Sequence, residues 1–230
     1  TDNPHHKRLE ADVIDWLTGN GFMVESNTYH DRLPKSFSDR LRVMYNQTSL
    51  VVRTGADRLA IHRERDFAFL LEFKTICDAK WANLAVEALP LSVHVEKAKL
   101  GTRCLYVVRD VIPGREYEGC FWADKPIPAD ALFVPRRFQG TELERRMIAA
   151  FPRLEVRRPD SVNGSGDPYV RVKRETFNTF MFPDWRTAVL CEVPSGDGGS
   201  PDGWRRRVRI PPGGLAGGDE PRERRTRGYH

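Results

Sequence analysis

The feature that most constrains this chain is residues 57–74, which run from Asp57 through two apolar stretches to Glu72-Phe73-Lys74. A charged break, Arg63-Glu64-Arg65-Asp66, separates the two stretches. The second stretch, 67–73, is aromatic and aliphatic, too short for a helix and suited to a buried strand. The reading is an antiparallel hairpin, 57–62 against 67–74, with Glu64-Arg65 at its tip. A two-residue tip sets Arg63 opposite Asp66, and the same register sets Asp57 opposite Glu72. Directly opposed side chains have Cβ atoms roughly 4.5–5.5 Å apart. Lys74, two residues past Glu72, projects from the same face. Two carboxylates and one ammonium therefore converge at the open end of the hairpin. Asp66 is the rival acid, but it lies about 20 Å along the strand from Glu72 at ~3.3 Å per residue. It cannot share a cation with Glu72. A register slip of one residue would turn Asp57 to the opposite face and break the constellation.

Carboxylates paired in this way suit Mg²⁺, a hard cation typically held by one or two carboxylates together with waters and phosphate oxygens. An adjacent lysine orients or deprotonates a water, or steadies charge on a phosphoryl group. An edge hairpin with a surface salt bridge is the plainer reading of the same residues. Asp57, followed by Glu72-Phe73-Lys74 at the end of a buried strand, resembles the PD-(D/E)XK nuclease superfamily. That is the fold of many restriction endonucleases, archaeal Holliday junction resolvases and RecB-type nucleases. Ala56 stands where a proline often precedes the motif Asp. The resemblance covers residues 4–109. It implies an α/β chain with a restriction-endonuclease-like αβββαβ core, a central mixed sheet flanked by helices, and a C-terminal α+β extension.

The resemblance also implies a function: metal-dependent DNA endonuclease, in restriction, junction resolution, repair, or phage and mobile-element DNA processing. It assigns Asp57, Glu72 and the Phe73 backbone carbonyl to the metal and Lys74 to the attacking water. Glu10 would orient a water or hold a second ion. The implied cofactor is Mg²⁺, with Mn²⁺ able to substitute, and the implied partner is DNA; a homodimer or larger assembly is compatible with it. The alternative is a nuclease-fold module without activity that binds nucleic acid or serves in assembly. The presence of Asp57, Glu72 and Lys74 together disfavours that alternative.

Net charge is +5, which invites a nucleic-acid reading. Its distribution is uneven. Residues 205–230 hold eight arginines against Asp219, Glu220 and Glu223, which accounts for the whole excess and leaves the rest of the chain neutral. Arg205, Arg206, Arg207 and Arg209 form a cluster that grips nucleic acid by counterion release or lies along an acidic partner face. Residues 194–230 are rich in Gly, Pro and Arg and read as a flexible basic tail. Cys77, Cys104, Cys120 and Cys191 are widely spaced and form no CxxC pair. This pattern fits a reduced, cytoplasmic or nucleoid-associated protein that is not secreted. No stretch has the ~18 apolar residues of a membrane span, and the polar start is no signal peptide.

Along the chain, Asn3-Pro4 opens a helix with a good N-cap and a proline at the first helical position. Leu9, Val13, Ile14 and Leu17 form its stripe, and Asn20-Gly21 stops it. Glu10 sits on or beside that stripe, where a solvated helix acid is the plain reading and the site acid is the implied one. His5-His6 reads as a frayed polar start. Residues 27–48 are irregular, with Arg32, Lys35, Arg40 and Arg42 interleaved with aromatics, a composition suited to phosphate contact and base stacking. A strand carried by Leu50, Val51 and Val52 is expected over 49–54, ending at Gly55.

Asp78 is read as capping a helix carrying Trp81, Leu84, Ala85 and Leu89, ended or kinked at Pro90, with a second helical piece at 91–100. Glu87 is read as a surface acid. Residues 103–108 form a buried strand, made parallel to 67–74 by the crossover helix. Residues 110–193 read as a sheet extension or accessory subdomain. Strands are expected at 118–123, 131–135, 154–158, 169–176 and 187–193, with a Thr141-capped helix through Ala150. Its arginines are substrate contacts or plain solubilising charge.

Overall fold

A computed structural model describes residues 3–27, 55–78, 83–160, 166–176 and 183–193. The chain divides into a unit Thr1–Gly198 and a second unit Gly199–His230; the second lies outside the described residues. So do the expected strand at 49–54 and the basic residues Arg32, Lys35, Arg40, Arg42, Arg205, Arg206, Arg207 and Arg209.

The described part is mixed α/β, with two mixed sheets and four α-helices. Helix α1 spans Pro4–Gly19, and the Asn3 side chain caps it by accepting from the His5 N–H. Leu9, Val13 and Leu17 recur every four residues and form its buried stripe. Gly21 turns the chain at φ +86°, a conformation that suits glycine, into β1, Phe22–Ser26. Strands β2 (Arg58–His62) and β3 (Ala68–Ile76) form the hairpin. Its pairs are Arg58↔Leu71, Leu59↔Leu70, Ala60↔Phe69 and Ile61↔Ala68, the register expected from the sequence.

Strand β5, Cys104–Asp110, lies parallel to β3, because helix α2 (Ala88–Lys99) carries the chain back across the sheet. Strand β6, Tyr117–Trp122, adds antiparallel to β5 and completes the order β1-β2-β3-β5-β6. The second sheet has the order β4-β9-β7-β8, from β4 Leu84–Glu87, β7 Ala129–Phe133, β8 Glu155–Arg157 and β9 Tyr169–Val172. Helix α3, Glu142–Ala150, is capped by Thr141, whose hydroxyl accepts from the Glu144 N–H. Strand β6 thus extends the first sheet beyond residue 110, and β4 belongs to the second sheet.

Alternation along β3 separates two cores. Phe69, Leu71 and Phe73 face α1, together with Leu105 and Val107 of β5. Leu70, Cys104, Tyr106 and Val108 face the second sheet and meet Leu84, Val86, Leu132, Val170 and Val172. Glu72 and Lys74 share the parity of Leu70 and so belong to that second face.

Four expectations are corrected. The helix expected around Leu84–Ala85 is instead β4, where Leu84 and Val86 turn inward and Ala85 outward with period two. Pro90 does not end a helix; it lies in the first turn of α2, where a missing N–H costs nothing. The strand expected at 187–193 is helix α4, Trp185–Leu190. Asp184 caps it, accepting from the Arg186 N–H and the Thr187 hydroxyl, and Trp185, Ala188 and Val189 are buried at helical spacing. The strand expected over 169–176 ends at Val172, and a 3₁₀ turn follows at Arg174–Thr176. No helix among the described residues is long and apolar enough to cross a membrane.

Candidate active site at the open end of the hairpin

Asp57 directly precedes β2, at the end of the hairpin remote from its turn. Continuing the observed register by one pair sets it opposite Glu72. Its Oδ2 accepts the Phe73 backbone N–H at 2.8 Å, so the acid is fastened across the hairpin onto β3. Glu72 is only 6% exposed. Lys74 reaches back along the same strand face and puts Nζ 2.9 Å from Glu72 Oε1. These three side chains are thus gathered by one hairpin, while Asp66 lies exposed in its turn.

The electrostatics follow from burying like charges together. Burial, then the negative charge of Glu72, push the Asp57 carboxyl up to about 7; the Phe73 N–H and Lys74 act the other way. Burial likewise raises Glu72, and Lys74 offsets part of that rise. For Lys74, burial works against the ammonium, but Glu72, Glu87 and Asp57 outweigh it and hold the group above its ordinary range. Lys74 therefore stays protonated near neutral pH. Burial first, and Glu72 next, also push the neighbouring Cys104 thiol well above its usual value.

Glu10 has a different partner from the one its implied role requires. Its Oε1 lies 2.6 Å from Arg58 Nε, in an ion pair between α1 and β2. His6, one turn earlier on α1, does reach the site. It packs edge-on against the Phe73 ring with centroids 6.3 Å apart, and the charges of Asp57, Glu10 and Lys74 act on it. Burial lowers its pKa and favours the neutral ring. The reading of His5-His6 as a frayed start is corrected by the Asn3 cap, which holds the first turn of α1 in place. The signal was present in the sequence: positions 6 and 10 are i and i+4 on a helix and share a face.

Glu87 was also missed. It ends β4 and precedes α2, and its charge acts on both Glu72 and Lys74. No sequence signal pointed to it once residues around 84 were read as a helix. Among the described residues, no set of three or more His, Cys, Asp or Glu side chains is gathered closely enough to hold a metal ion by itself.

No protein-family model matches the chain, and no curated protein matches it in sequence. Among solved structures it is similar to Archaeoglobus fulgidus Hjc, a Holliday junction resolvase from an archaeal hyperthermophile, at 14% identity and a TM-score of 0.32. The likeness covers 52% of this chain and 74% of that one. A likeness at that score does not by itself fix a fold.

Proposed function

We propose that this chain is a divalent-metal-dependent nuclease of the restriction-endonuclease-like αβββαβ type, hydrolysing phosphodiester bonds in DNA. The observation that carries the reading is the fastening of Asp57 across the hairpin beside the buried Glu72–Lys74 pair. A buried carboxylate pressed against a second one is costly unless something positive joins them, and such arrangements concentrate at functional sites.

The donor set suits Mg²⁺, with Mn²⁺ as a substitute: two carboxylates and a backbone carbonyl leave most of the coordination to water and phosphate. Asp57, Glu72 and the Phe73 carbonyl would hold the ion. When bound, it polarises the phosphate and lowers the pKa of water in its shell.

The remaining work belongs to side chains of this chain. Lys74, kept protonated by its acidic neighbours, acts as a fixed cation and not as a base. It orients the attacking water and steadies negative charge building on the phosphoryl oxygens. Asp57 keeps β2 and β3 locked at the reacting end through the Phe73 N–H. Glu10 is engaged with Arg58 and is given no role at the ion. The Arg-rich segment 205–209 supplies the phosphate affinity that the neutral body lacks.

The test is cleavage of labelled DNA by the full chain with Mg²⁺, with chelator, and with Glu72→Ala. The expected outcome is metal-dependent cleavage that Glu72→Ala lowers on the order of 10³-fold while circular dichroism stays unchanged. Equal cleavage by a folded Glu72→Ala protein contradicts the reading.

A further inference from the structure

Glu72 has a neighbour on each side along the first sheet. On the β2 side stands Asp57, by the continued register of the hairpin. On the β5 side the residue in register is Tyr106. Paired residues of neighbouring strands project from the same face, so Tyr106 stands beside Glu72 on the face that turns toward the second sheet. The chemistry proposed above uses neither Tyr106 nor its partner His94, yet both are fully buried polar side chains.

The placement of the Tyr106 ring follows from its contacts. Its partner on β6 is Phe121, and the two rings stack with centroids 4.9 Å apart and planes 12° from parallel. That separation matches the roughly 4.8 Å between neighbouring strands, so both rings stand upright on the sheet with their faces turned along it. Phe121 covers one face of Tyr106. The other face is turned toward β3, where Glu72 is the residue in register. Helix α2 brings His94 onto the same side chain. Its Nδ1 lies 2.8 Å from the Tyr106 hydroxyl, in a hydrogen bond, and the two rings meet at 60°. The Tyr106 ring is thereby held at its tip by α2 and on one flank by β6.

We propose that the Tyr106–His94 pair is the back wall of this site: the Tyr106 ring stops the Glu72 carboxylate from swinging toward β5 and positions it for a divalent cation on the Asp57 side. The proposal rests on the nuclease reading above. Tyr106 is a positioning residue; it touches neither substrate nor ion and acts through Glu72. His94 acts one step further back, because its bond to the hydroxyl keeps the ring upright. Lys74 holds Glu72 along its own strand at 2.9 Å, and Tyr106 limits it across the sheet. Groups that orient a metal-holding side chain in this way are worth roughly 10–100-fold in metal affinity or activity.

The experiment titrates Mn²⁺ into the full chain by calorimetry, without DNA, and measures steady-state cleavage and urea unfolding alongside. Tyr106→Leu removes the wall. It is expected to weaken Mn²⁺ binding about tenfold and to lower kcat with KM for DNA unchanged. Tyr106→Phe keeps the ring and loses the bond to His94; His94→Leu loses the same bond from the other side. Each should give a smaller loss than Tyr106→Leu, and the double variant should lose no more than either single one, because one bond carries both effects. His94→Asn keeps a hydrogen-bonding group near the place of Nδ1 and should recover part of the loss. Leu105, the preceding residue on β5, is turned to the other core. Leu105→Ala should therefore cost stability and leave Mn²⁺ affinity and kcat at wild-type values. The assignment is overturned if folded Tyr106→Leu matches wild type in both measurements, or if Leu105→Ala loses as much Mn²⁺ affinity as Tyr106→Leu at equal loss of stability. If Tyr106→Leu does not fold, wild-type values for Tyr106→Phe and His94→Leu overturn it instead. If Glu72→Ala abolishes Mn²⁺ binding while the Tyr106 variants bind like wild type, only the wall is wrong. If Glu72→Ala itself binds Mn²⁺ like wild type, the nuclease reading fails.

Discussion

Two buried acid groups sit on adjoining strands of the first sheet, and they are built on opposite plans. Asp110 ends β5 with its side chain fully buried, and two guanidinium groups and a backbone N–H donate to its carboxylate. Arg174 and Arg115 bind its Oδ2, and the Ile112 N–H donates to its Oδ1 at 3.0 Å. Arg174 also donates to the Arg115 carbonyl, so the cluster ties the end of β5 to the turn that follows β9. At the other group, Asp57, Glu72 and Glu87 act on a single ammonium. The first plan satisfies a charge where it stands. The second leaves negative charge in excess, which stabilises nothing in the metal-free protein and gives a cation a reason to bind. Burial of an acid is therefore uninformative by itself; the balance of its neighbours separates the structural group from the candidate site.

The comparison is tested first by removing the satisfied acid. Asp110→Ala leaves two arginines clustered without their anion, and should destabilise the fold by roughly 2–4 kcal/mol, less than a fully dry pair because both arginines are partly exposed. Urea unfolding measures this directly. Cleavage by the fraction that remains folded should stay near wild type. A stability loss below about 0.5 kcal/mol, the range of an ordinary surface change, would break the contrast.

A smaller effect is expected from pH. Asp57 titrates near 4 when unfolded and is pushed up to about 7 when folded. Between those values the folded state binds the extra proton, so the Asp57 contribution is full below about pH 4 and is lost as pH rises through 7. Metal-free protein should therefore melt lower at pH 8 than at pH 6. Asp57→Asn should flatten that decline, and added Mg²⁺ should reverse it. A decline that is identical in Asp57→Asn means the buried charge lies elsewhere.

Much of this was legible in the sequence, for reasons that differ by element. The hairpin was readable because two short apolar runs flank a brief charged break, and a two-residue tip at Glu64-Arg65 leaves one register, which sets Asp57 opposite Glu72. The parallel pairing of β3 with β5 followed from the helix between them. Strand β4 was not readable: only Leu84 and Val86 carry its period, and Pro90 suggested the end of a helix where it belongs to the beginning of one. Glu87 was missed with it. Helix α4 was misjudged because its β-branched and aromatic residues favour a strand, while the Asp184 cap and the burial of Trp185, Ala188 and Val189 settle it as a helix. His6 was overlooked because a chain start is usually frayed, although here Asn3 caps the helix within which it sits.

The most direct test of the central claim separates the two acids that precede Glu72. Asp57 is fastened to β3 beside Glu72, and Asp66 lies exposed in the hairpin turn. Mg²⁺-dependent DNA cleavage should be measured for Asp57→Asn and Asp66→Asn at saturating metal, with folding checked by circular dichroism. Asp57→Asn should lose most of the activity, because one of the two metal-holding charges is gone, and Asp66→Asn should cleave like wild type. An active Asp57→Asn beside an inactive Asp66→Asn would contradict both the site and the mechanism built on it.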